Sequence, residues 1–367
     1  MEEKIMTTEI AIIGGGPAGL AAAIESARSG AQVTLIDENE RPGGQLFKQI
    51  HKFFGSRAHF AGIRGIDIGI RLLQECRELR VKTLLNTVVF GLFKENEIGL
   101  VFNDKSLLLK AKKIILATGA SENVLNFPGW TLPGVMGAGA LQTMMNVHRV
   151  LPGKEILMIG SGNVGLIVSY QALQAGANVV AIIEAAPKIG GYGVHAAKVR
   201  RAGVPILTSC TVKEALGDGQ VQAVIIIQLD QNWNPISGTE KKLTVDTVCL
   251  GVGLTPLSEL AWMAGCQFTF IPELGGHIPL HNCNMQTSIK DIYVAGDLTG
   301  IEEESTALEE GRLAGLAAAE SLGYLTKKVS LEKKEEIRNR LCVLRAGPFG
   351  ELRRKLKEPL MQREEVV

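Results

Sequence analysis

Two turns of the form GxGxxG, each preceded by a short apolar strand, followed by a helix and trailed by a carboxylate 23 or 24 residues on, predict an α/β fold with two Rossmann-like dinucleotide-binding domains. A third sign is the stretch Asp291–Asp297, DIYVAGD, a buried-type strand that finishes on Gly-Asp ahead of an Ala-rich helix. The first unit opens with Ile10, Ile12 and Ile13. It breaks into Gly14-Gly15-Gly16-Pro17-Ala18-Gly19 and continues as a helix over Leu20–Ala27. Gly14 permits the tight turn, Gly16 lets the backbone approach a pyrophosphate with no Cβ in the way, and Gly19 lets the helix pack close on its strand. The helix N-terminus offers unpaired N–H groups and a partial positive charge to the phosphates. A second strand, Val33–Ile36, ends at Asp37, where a carboxylate meets a ribose hydroxyl.

The bulk properties exclude several classes. A chain of 367 residues holds about two to three domains. Its 42 glycines suit many tight turns, and a net charge of +1 gives no electrostatic reason to bind nucleic acid or an anionic membrane. The N-terminus, MEEKIMTTE, is too polar for a signal peptide. Ile156–Ile183 carries no charge, but Gly160, Gly162, Gly165 and Gly176 break it, so a strand–turn–helix–strand is expected and no transmembrane segment. A cytoplasmic location is expected. The six cysteines, at 76, 210, 249, 266, 283 and 342, are scattered, with no CxxC. That pattern opposes a metal site, a cysteine-ligated iron–sulfur cluster and a dithiol centre.

Between the two turns, Pro42-Gly43-Gly44-Gln45-Leu46 forms another glycine turn. Phe47–Gly65 then gathers His51, His59, Lys48, Lys52, Arg57 and Arg64 among aromatics. This stretch has three readings: a catalytic histidine, satisfied polar groups beside a partner interface, or a basic seat for the phosphate of an FMN at a subunit junction. A helix follows from about Ile66 to Leu79, with Ile70, Leu73, Cys76 and Leu79 expected on one face. Val81–Lys113 reads as short strands with polar turns, and the strand from Lys113 ends in Ala117-Thr118-Gly119, small residues that let backbone approach a nucleotide.

The second unit runs from Glu155–Ile159 through Gly160-Ser161-Gly162-Asn163-Val164-Gly165 to a strand ending at Glu184. Two copies of one mechanism at matching spacing are far more specific than either alone. The carboxylate of Glu184 accepts hydrogen bonds from a 2′-hydroxyl and repels a 2′-phosphate, which favours NAD(H), although Lys188 and Arg200 are near enough in sequence to oppose it. Val248–Pro256 is a further strand running into Gly251 and Gly253. After DIYVAGD, Thr306-Ala307-Leu308-Glu309 fits a capping box at the start of a helix reaching Leu322, and Glu302, Glu303 and Glu304 would complement its dipole, the alternative being a proton-transfer role. Lys327–Val367 is strongly charged, either a solvated helical tail or a docking surface.

The order GGGPAG, Asp37, PGGQL, ATGA, GSGNVG, Glu184 and YVAGD resembles the two-dinucleotide-domain flavoprotein oxidoreductases over nearly the whole chain to Leu322. PGGQL followed by KQIHKFFGS, and PGWTLPGVMGAGALQ, resemble more narrowly the alpha-type subunits of heteromeric amine and amino-acid dehydrogenases. These are sarcosine oxidase alpha, the A-type subunit of opine oxidase, the B-type subunit of hydrogen cyanide synthase and dye-linked proline dehydrogenase alpha. The resemblance implies a three-layer ββα, glutathione-reductase-like architecture. A discontinuous FAD domain (1–122 and 274–322) would flank an NAD(H) domain (123–273), with 323–367 as a charged tail open to a partner. It implies FAD on Gly14, Gly16, Pro17 and Ala18, the adenosine ribose on Asp37 with Glu38 beside it, and the flavin flanked by Gly44, Gln45 and Leu46. Val89, Ala117, Thr118 and Gly119 fall on the nucleotide half. Gly296 and Asp297 fall at the ribityl chain or pyrophosphate, and Thr306 and Ala307 at the pyrimidine edge. NAD(H) falls on Gly160, Gly162, Asn163, Val164, Glu184, Gly251 and Gly253.

The missing cysteine pair excludes thioredoxin- and disulfide-reductase activity, and Cys342 alone cannot hold a [2Fe–2S] cluster. No catalytic side chain is assigned, because flavin and nicotinamide supply the hydride chemistry themselves. The expected function is therefore an FAD- and NAD-binding subunit of a heteromeric amine or amino-acid dehydrogenase. Its partners would be an FAD-dependent substrate-oxidising flavoprotein and a small [2Fe–2S] protein. The alternatives are a self-sufficient NADH:acceptor oxidoreductase and a nucleotide-loaded scaffold without turnover.

Overall fold

The structure, a computed structural model, describes residues 5–348 and 350–361. Their contacts divide the chain into two units, one built from residues up to Ser121 and again from Thr255, the other from Glu122–Leu254. The first unit begins with β1 (Met6–Ile13), α1 (Pro17–Arg28), β2 (Val33–Ile36) and α2 (Gly65–Glu78). It continues through β3 (Lys82–Leu84), β4 (Thr87–Phe93), β5 (Glu97–Phe102) and β6 (Lys105–Leu116). β1 lies between β2 and β6, parallel to both, while β4, β5 and β6 form an antiparallel extension. Ile10 and Ile12 belong to the core on one face of the sheet and Ala11 and Ile13 to the core on the other. That double burial is why β1 reads as a continuous apolar run.

After β7 (Ala120–Glu122), the second unit repeats the plan. β8 (Val135–Gly137) and α3 (Ala138–Asn146) precede β9 (Glu155–Ile159), α4 (Asn163–Gln174), β10 (Asn178–Glu184), α5 (Gly193–Arg201) and β11 (Ile206–Thr208). An antiparallel sheet of β12 (Cys210–Leu216), β13 (Ala223–Gln228) and β14 (Lys241–Thr244) follows, and β15 (Thr247–Leu250) completes the parallel sheet in the order β11-β10-β9-β15-β8. The charge-free stretch 156–183 is thus strand, turn, helix and strand. Among the described residues no helix is long and apolar enough to cross a membrane.

The chain returns through β16 (Leu254–Pro256), α6 (Glu259–Met263), β17 (Phe268–Ile271) and β18 (Gly276–Pro279). β19 (Ile292–Val294) then joins β6 in parallel, and α7 (Glu304–Ser321), α8 (Lys327–Leu344) and α9 (Glu351–Met361) close the first unit. The return falls at residue 255 and not at 274. Leu260, Ala261 and Cys266 share a core with Ile98 and Leu100, and burial there outweighs the sequence distance. The charged segment after Leu322 is likewise no free tail, since Ile337 and Leu341 of α8 belong to the core that holds Leu313 and Leu316. Residues 362–367 and Phe349 lie outside the described residues.

α1 and α7 pack through small residues, with Gly311 and Gly315 against the backbone of Ala18 and Ala22. α2 turns Leu73, Cys76 and Leu79 toward the core as its spacing suggested, but not Ile70. Ile68, Leu72 and Cys76 are buried while Ile70 is 53% exposed. The inward stripe falls at 65, 68, 69, 72 and 76, where Gly65 and Gly69 let the helix close on Gln49 and Phe47.

Candidate functional site

Each unit carries the same cradle. Gly14 sits at φ +101°, with its missing Cβ only 2.2 Å from Ala117 O; Gly160 sits at φ +104°, its missing Cβ 2.2 Å from Gly251 O. Any side chain at either position would collide with backbone that cannot yield. Gly19 and Gly165 close the turn onto Gly14 O and Gly160 O, so α1 and α4 start hard against their strands. In front of each turn the space is open, because a Cβ at Gly16 or Gly162 would meet nothing within 4 Å. Both cradles therefore fit a pyrophosphate laid across a helix N-terminus.

The carboxylates that follow do more than await a ribose. Asp37 Oδ2 accepts from Gly15 N at 2.6 Å, and Oδ1 accepts from the backbone N and side-chain Nδ2 of Asn39, each at 2.8 Å. Glu184 Oε2 accepts from Ser161 N at 2.9 Å and Ser161 Oγ at 2.7 Å, and Oε1 from Ala186 N at 3.0 Å. In both units the acid braces the middle residue of the glycine turn. Asp37 is only 6% exposed, and its neighbour Glu38 is exposed.

A second glycine pair completes each cradle. Gly43 N donates to Gly15 O at 2.7 Å and Gly191 N to Ser161 O at 2.9 Å. Gly190 N also donates to Ser161 Oγ at 3.2 Å, and Tyr192 N to Asn163 Oδ1 at 2.8 Å. Gly190 and Gly191 were not among the residues the sequence singled out. Their signal was present as a Gly-Gly six residues after Glu184, the spacing of Gly43-Gly44 after Asp37.

Around the first turn the structure gathers several expected residues. The missing Cβ of Gly44 would lie 2.9 Å from Gly16 Cα, and that of Gly296 would lie 2.8 Å from Ala18 Cβ and 3.6 Å from Ala307 Cβ. Gly119 accepts from Leu257 N at 3.0 Å, and Thr118 Oγ1 donates to Leu257 O at 2.7 Å. Gln45 is exposed, whereas the Leu46 side chain is fully buried in the core. Val89 pairs with Leu100 inside the β4–β5 hairpin. The backbone partners of Asp37 are Leu84 and Thr87. In the second unit Asn123 N donates to Gly253 O at 3.0 Å, and Val164 is 41% exposed at the first turn of α4.

The capping box at Thr306 does not form. α7 starts at Glu304, and Thr306 Oγ1 turns back to Glu303 O at 2.5 Å from within the first turn. Glu309 is instead fully buried, bonded to His59 Nε2 at 2.8 Å and to Arg340 Nε and Nη2 at 2.9 Å each. Burial alone would raise this acid, but hydrogen bonds from His59 and Arg340 hold it down to about 2. His59 Nδ1 meets Ser56 Oγ at 2.9 Å, so both ring nitrogens are engaged and the imidazole ties Ser56 to Glu309. His51 stacks on Phe53 at a centroid distance of 5.4 Å.

Of the three glutamates at the start of α7, Glu303 is exposed at the N-cap, but Glu302 and Glu304 are not a solvated dipole complement. Glu302 and Glu310 share Arg345 and Lys357 in a buried cluster. Glu304 has both carboxylate oxygens buried with no hydrogen-bond partner, and burial, with Glu303 and Asp297 nearby, raises it well above the usual carboxylate range. Burial also pushes Asp297 up to about 6. Four of the six cysteines (Cys76, Cys210, Cys249, Cys266) are buried, all six are free, and no metal-binding group of side chains occurs among the described residues.

Two braced glycine cradles on two parallel sheets define a two-dinucleotide oxidoreductase. Residues 8–311 match the pyridine nucleotide-disulphide oxidoreductase family, and the chain belongs to it: a flavin oxidoreductase that binds FAD and NAD(P). It is 29% identical to the A-type subunit of opine oxidase from Agrobacterium tumefaciens over 88% of this chain and 67% of that one. It is 29% identical to hydrogen cyanide synthase subunit HcnB of Pseudomonas aeruginosa over 92% and 76%. Among solved structures, L-proline dehydrogenase from P. horikoshii superposes with a TM-score of 0.67 at 25% identity, over 91% of this chain and 60% of that one.

Proposed function

We propose that the chain is the FAD- and NAD(H)-binding subunit of a heteromeric dehydrogenase or oxidase for amines or amino acids of the proline, hydroxyproline, sarcosine or opine type. It would pass electrons between a substrate-oxidising flavoprotein partner and NAD or another acceptor. The observation that carries this reading is the doubled cradle in a chain whose described residues pair no cysteines. Two carriers have a seat, and a disulfide relay does not. The names of the relatives, subunits of opine oxidase and hydrogen cyanide synthase, support an assembly with another chain. FAD belongs on Gly14, Gly16, Pro17 and Ala18, with Gly44, Gln45, Ala117, Thr118, Gly119, Gly296, Asp297, Thr306 and Ala307 around it. NAD(H) belongs on Gly160, Gly162, Asn163 and Val164, with Glu184 against a 2′-phosphate and Gly251 and Gly253 beside the turn.

The isoalloxazine and nicotinamide rings supply the hydride chemistry when bound. The chain's own work is to hold phosphates at the N-termini of α1 and α4 and to fix the turns with Asp37 and Glu184. Asp297 would hold the ribityl chain, as acceptor of a hydroxyl hydrogen bond, or the pyrophosphate. A small [2Fe–2S] protein as a further partner and a cytoplasmic location complete the reading. The test is to express the chain with and without its co-purifying partners and record flavin content, native mass and anaerobic bleaching by NADH. A yellow protein bleached by NADH, oxidising the amine only with its partner, is expected. A colourless chain indifferent to NADH, or full amine turnover by the chain alone, would refute the proposal.

A further inference from the structure

Beyond residue 311, where the match to the family ends, two cations reach back to the turn that carries Asp297. Lys357 of α9 is 1% exposed, and its Nζ lies 2.9 Å from Glu310 Oε1, 2.7 Å from Glu302 Oε2 and 3.0 Å from Thr299 Oγ1. Arg345, just after α8, is 4% exposed. Its Nη2 lies 2.5 Å from Glu310 Oε1 and 2.6 Å from Glu302 Oε2, with Nε 3.0 Å from Glu302 Oε1. The other oxygen of Glu310 faces the turn, accepting from Gly296 N at 3.0 Å and Thr299 Oγ1 at 2.7 Å. Arg353 Nε, also on α9, donates to Ile301 O at 3.0 Å. Two acids and two cations, all buried, leave the group neutral.

We infer that Arg345 and Lys357 are positioning residues for the cofactor of the first unit: through Glu310 and Glu302 they fix the Gly296–Thr299 turn, and so the place and charge of Asp297. A buried glutamate stays ionised only against cations, and with Oε1 held by Arg345 and Lys357 the other oxygen of Glu310 is kept turned to Gly296 N and Thr299 Oγ1. Burial by itself would raise Glu310, yet Lys357 and Arg345 hold it down to about 2. Lys357 also draws Asp297 downward against Glu302 and Glu310, and Glu304 is the further acid near it. The docked C-terminal helices thus complete a cofactor turn assembled by residues 296–299. The inference rests on FAD occupying this cradle.

The test titrates FAD binding to the full-length apo chain by flavin fluorescence from pH 5 to 8, with NADH binding to the second unit as a fold check. Wild type is expected to bind more tightly as pH rises through about 6, as Asp297 ionises. Lys357→Met should weaken FAD at least tenfold at pH 7 and move that midpoint upward, with NADH affinity kept. Glu302→Gln should move it downward, and the double variant, neutral again, should recover most of the affinity. If Lys357→Met does not fold, the direction of the Glu302→Gln shift decides alone. FAD affinity within twofold of wild type and an unmoved midpoint in these variants, even with a lower melting temperature, would reduce the cluster to a structural one and overturn the inference. A wild-type chain that binds NADH but no FAD would bring down the cofactor assignment, and this inference with it.

Discussion

Gly315→Ala tests whether the seating of α1 against α7 governs the first cradle. A Cβ at Gly315 would stand 2.4 Å from Ala22 O, 2.9 Å from Ala22 Cα and 3.0 Å from its carbonyl carbon. Ordinary contact begins at 3.4 Å, so the helices must part by about 1 Å, and only backbone is there to give. Ala22, Ala314 and Ala318 are all fully buried at this contact, with no loose side chain to absorb the shift. Overpacking of this kind costs roughly 1–3 kcal/mol. Replacing Gly by Ala inside a helix returns about 0.8–1 kcal/mol. The net loss runs from near zero to about 2 kcal/mol, which lowers Tm by up to about 8 °C for a unit of this size. The same displacement would carry Pro17 and Ala18 away from the phosphates they are proposed to hold. Stretching one charge-assisted N–H bond by about 1 Å forfeits most of its ~1.5–3 kcal/mol, roughly tenfold or more in FAD affinity. The assay is a thermal melt with flavin release, set beside Gly193→Ala, where an added Cβ meets nothing within 4 Å. A Gly315→Ala chain that melts with wild type and keeps its FAD affinity would refute the close-packing account.

Three further outcomes follow from the same geometry. Glu304→Gln should raise Tm, more at pH 8 than at pH 5: a folded-state pKa raised above the unfolded value adds stability below about 4.5 that is lost as pH climbs to the folded value, and the amide removes that loss. A Tm difference independent of pH would contradict the buried, unpartnered carboxyl. Glu184→Ala removes the acceptor for Ser161 N, Ser161 Oγ and Ala186 N, so NADH should weaken about tenfold or more while FAD binding holds and discrimination against NADPH shrinks, as calorimetry would show. In the native chain Cys342, which is exposed, should react promptly with a thiol reagent, Cys283 slowly, and the four buried thiols only on unfolding, with Cys76 pushed up to about 12 by burial. Cys283→Ser and Cys342→Ser together should leave flavin bleaching by NADH intact; loss of bleaching would reinstate a thiol in the chemistry.

The sequence by itself determined both cradles, because each depends on local necessities. A glycine at positive φ, an apolar run of strand length and an acid one strand later are all written in consecutive residues, and the structure places Gly14, Gly16, Gly160 and Gly162 as that pattern requires. Gly190-Gly191 is legible in the same way, by its spacing from Glu184. What only the tertiary structure decided is the use made of charge. Asp37 and Glu184 brace their own turns, His59 closes on Glu309 across the fold, and the return to the first unit falls at residue 255 where Leu260 and Cys266 find their core. Lys357 and Arg345 stand in a segment whose composition reads as solvated, because an isolated cation belongs in water. Their burial becomes favourable only once folding brings Glu302 and Glu310 within hydrogen-bond reach, 35 to 55 residues back along the chain, and no local pattern encodes that meeting.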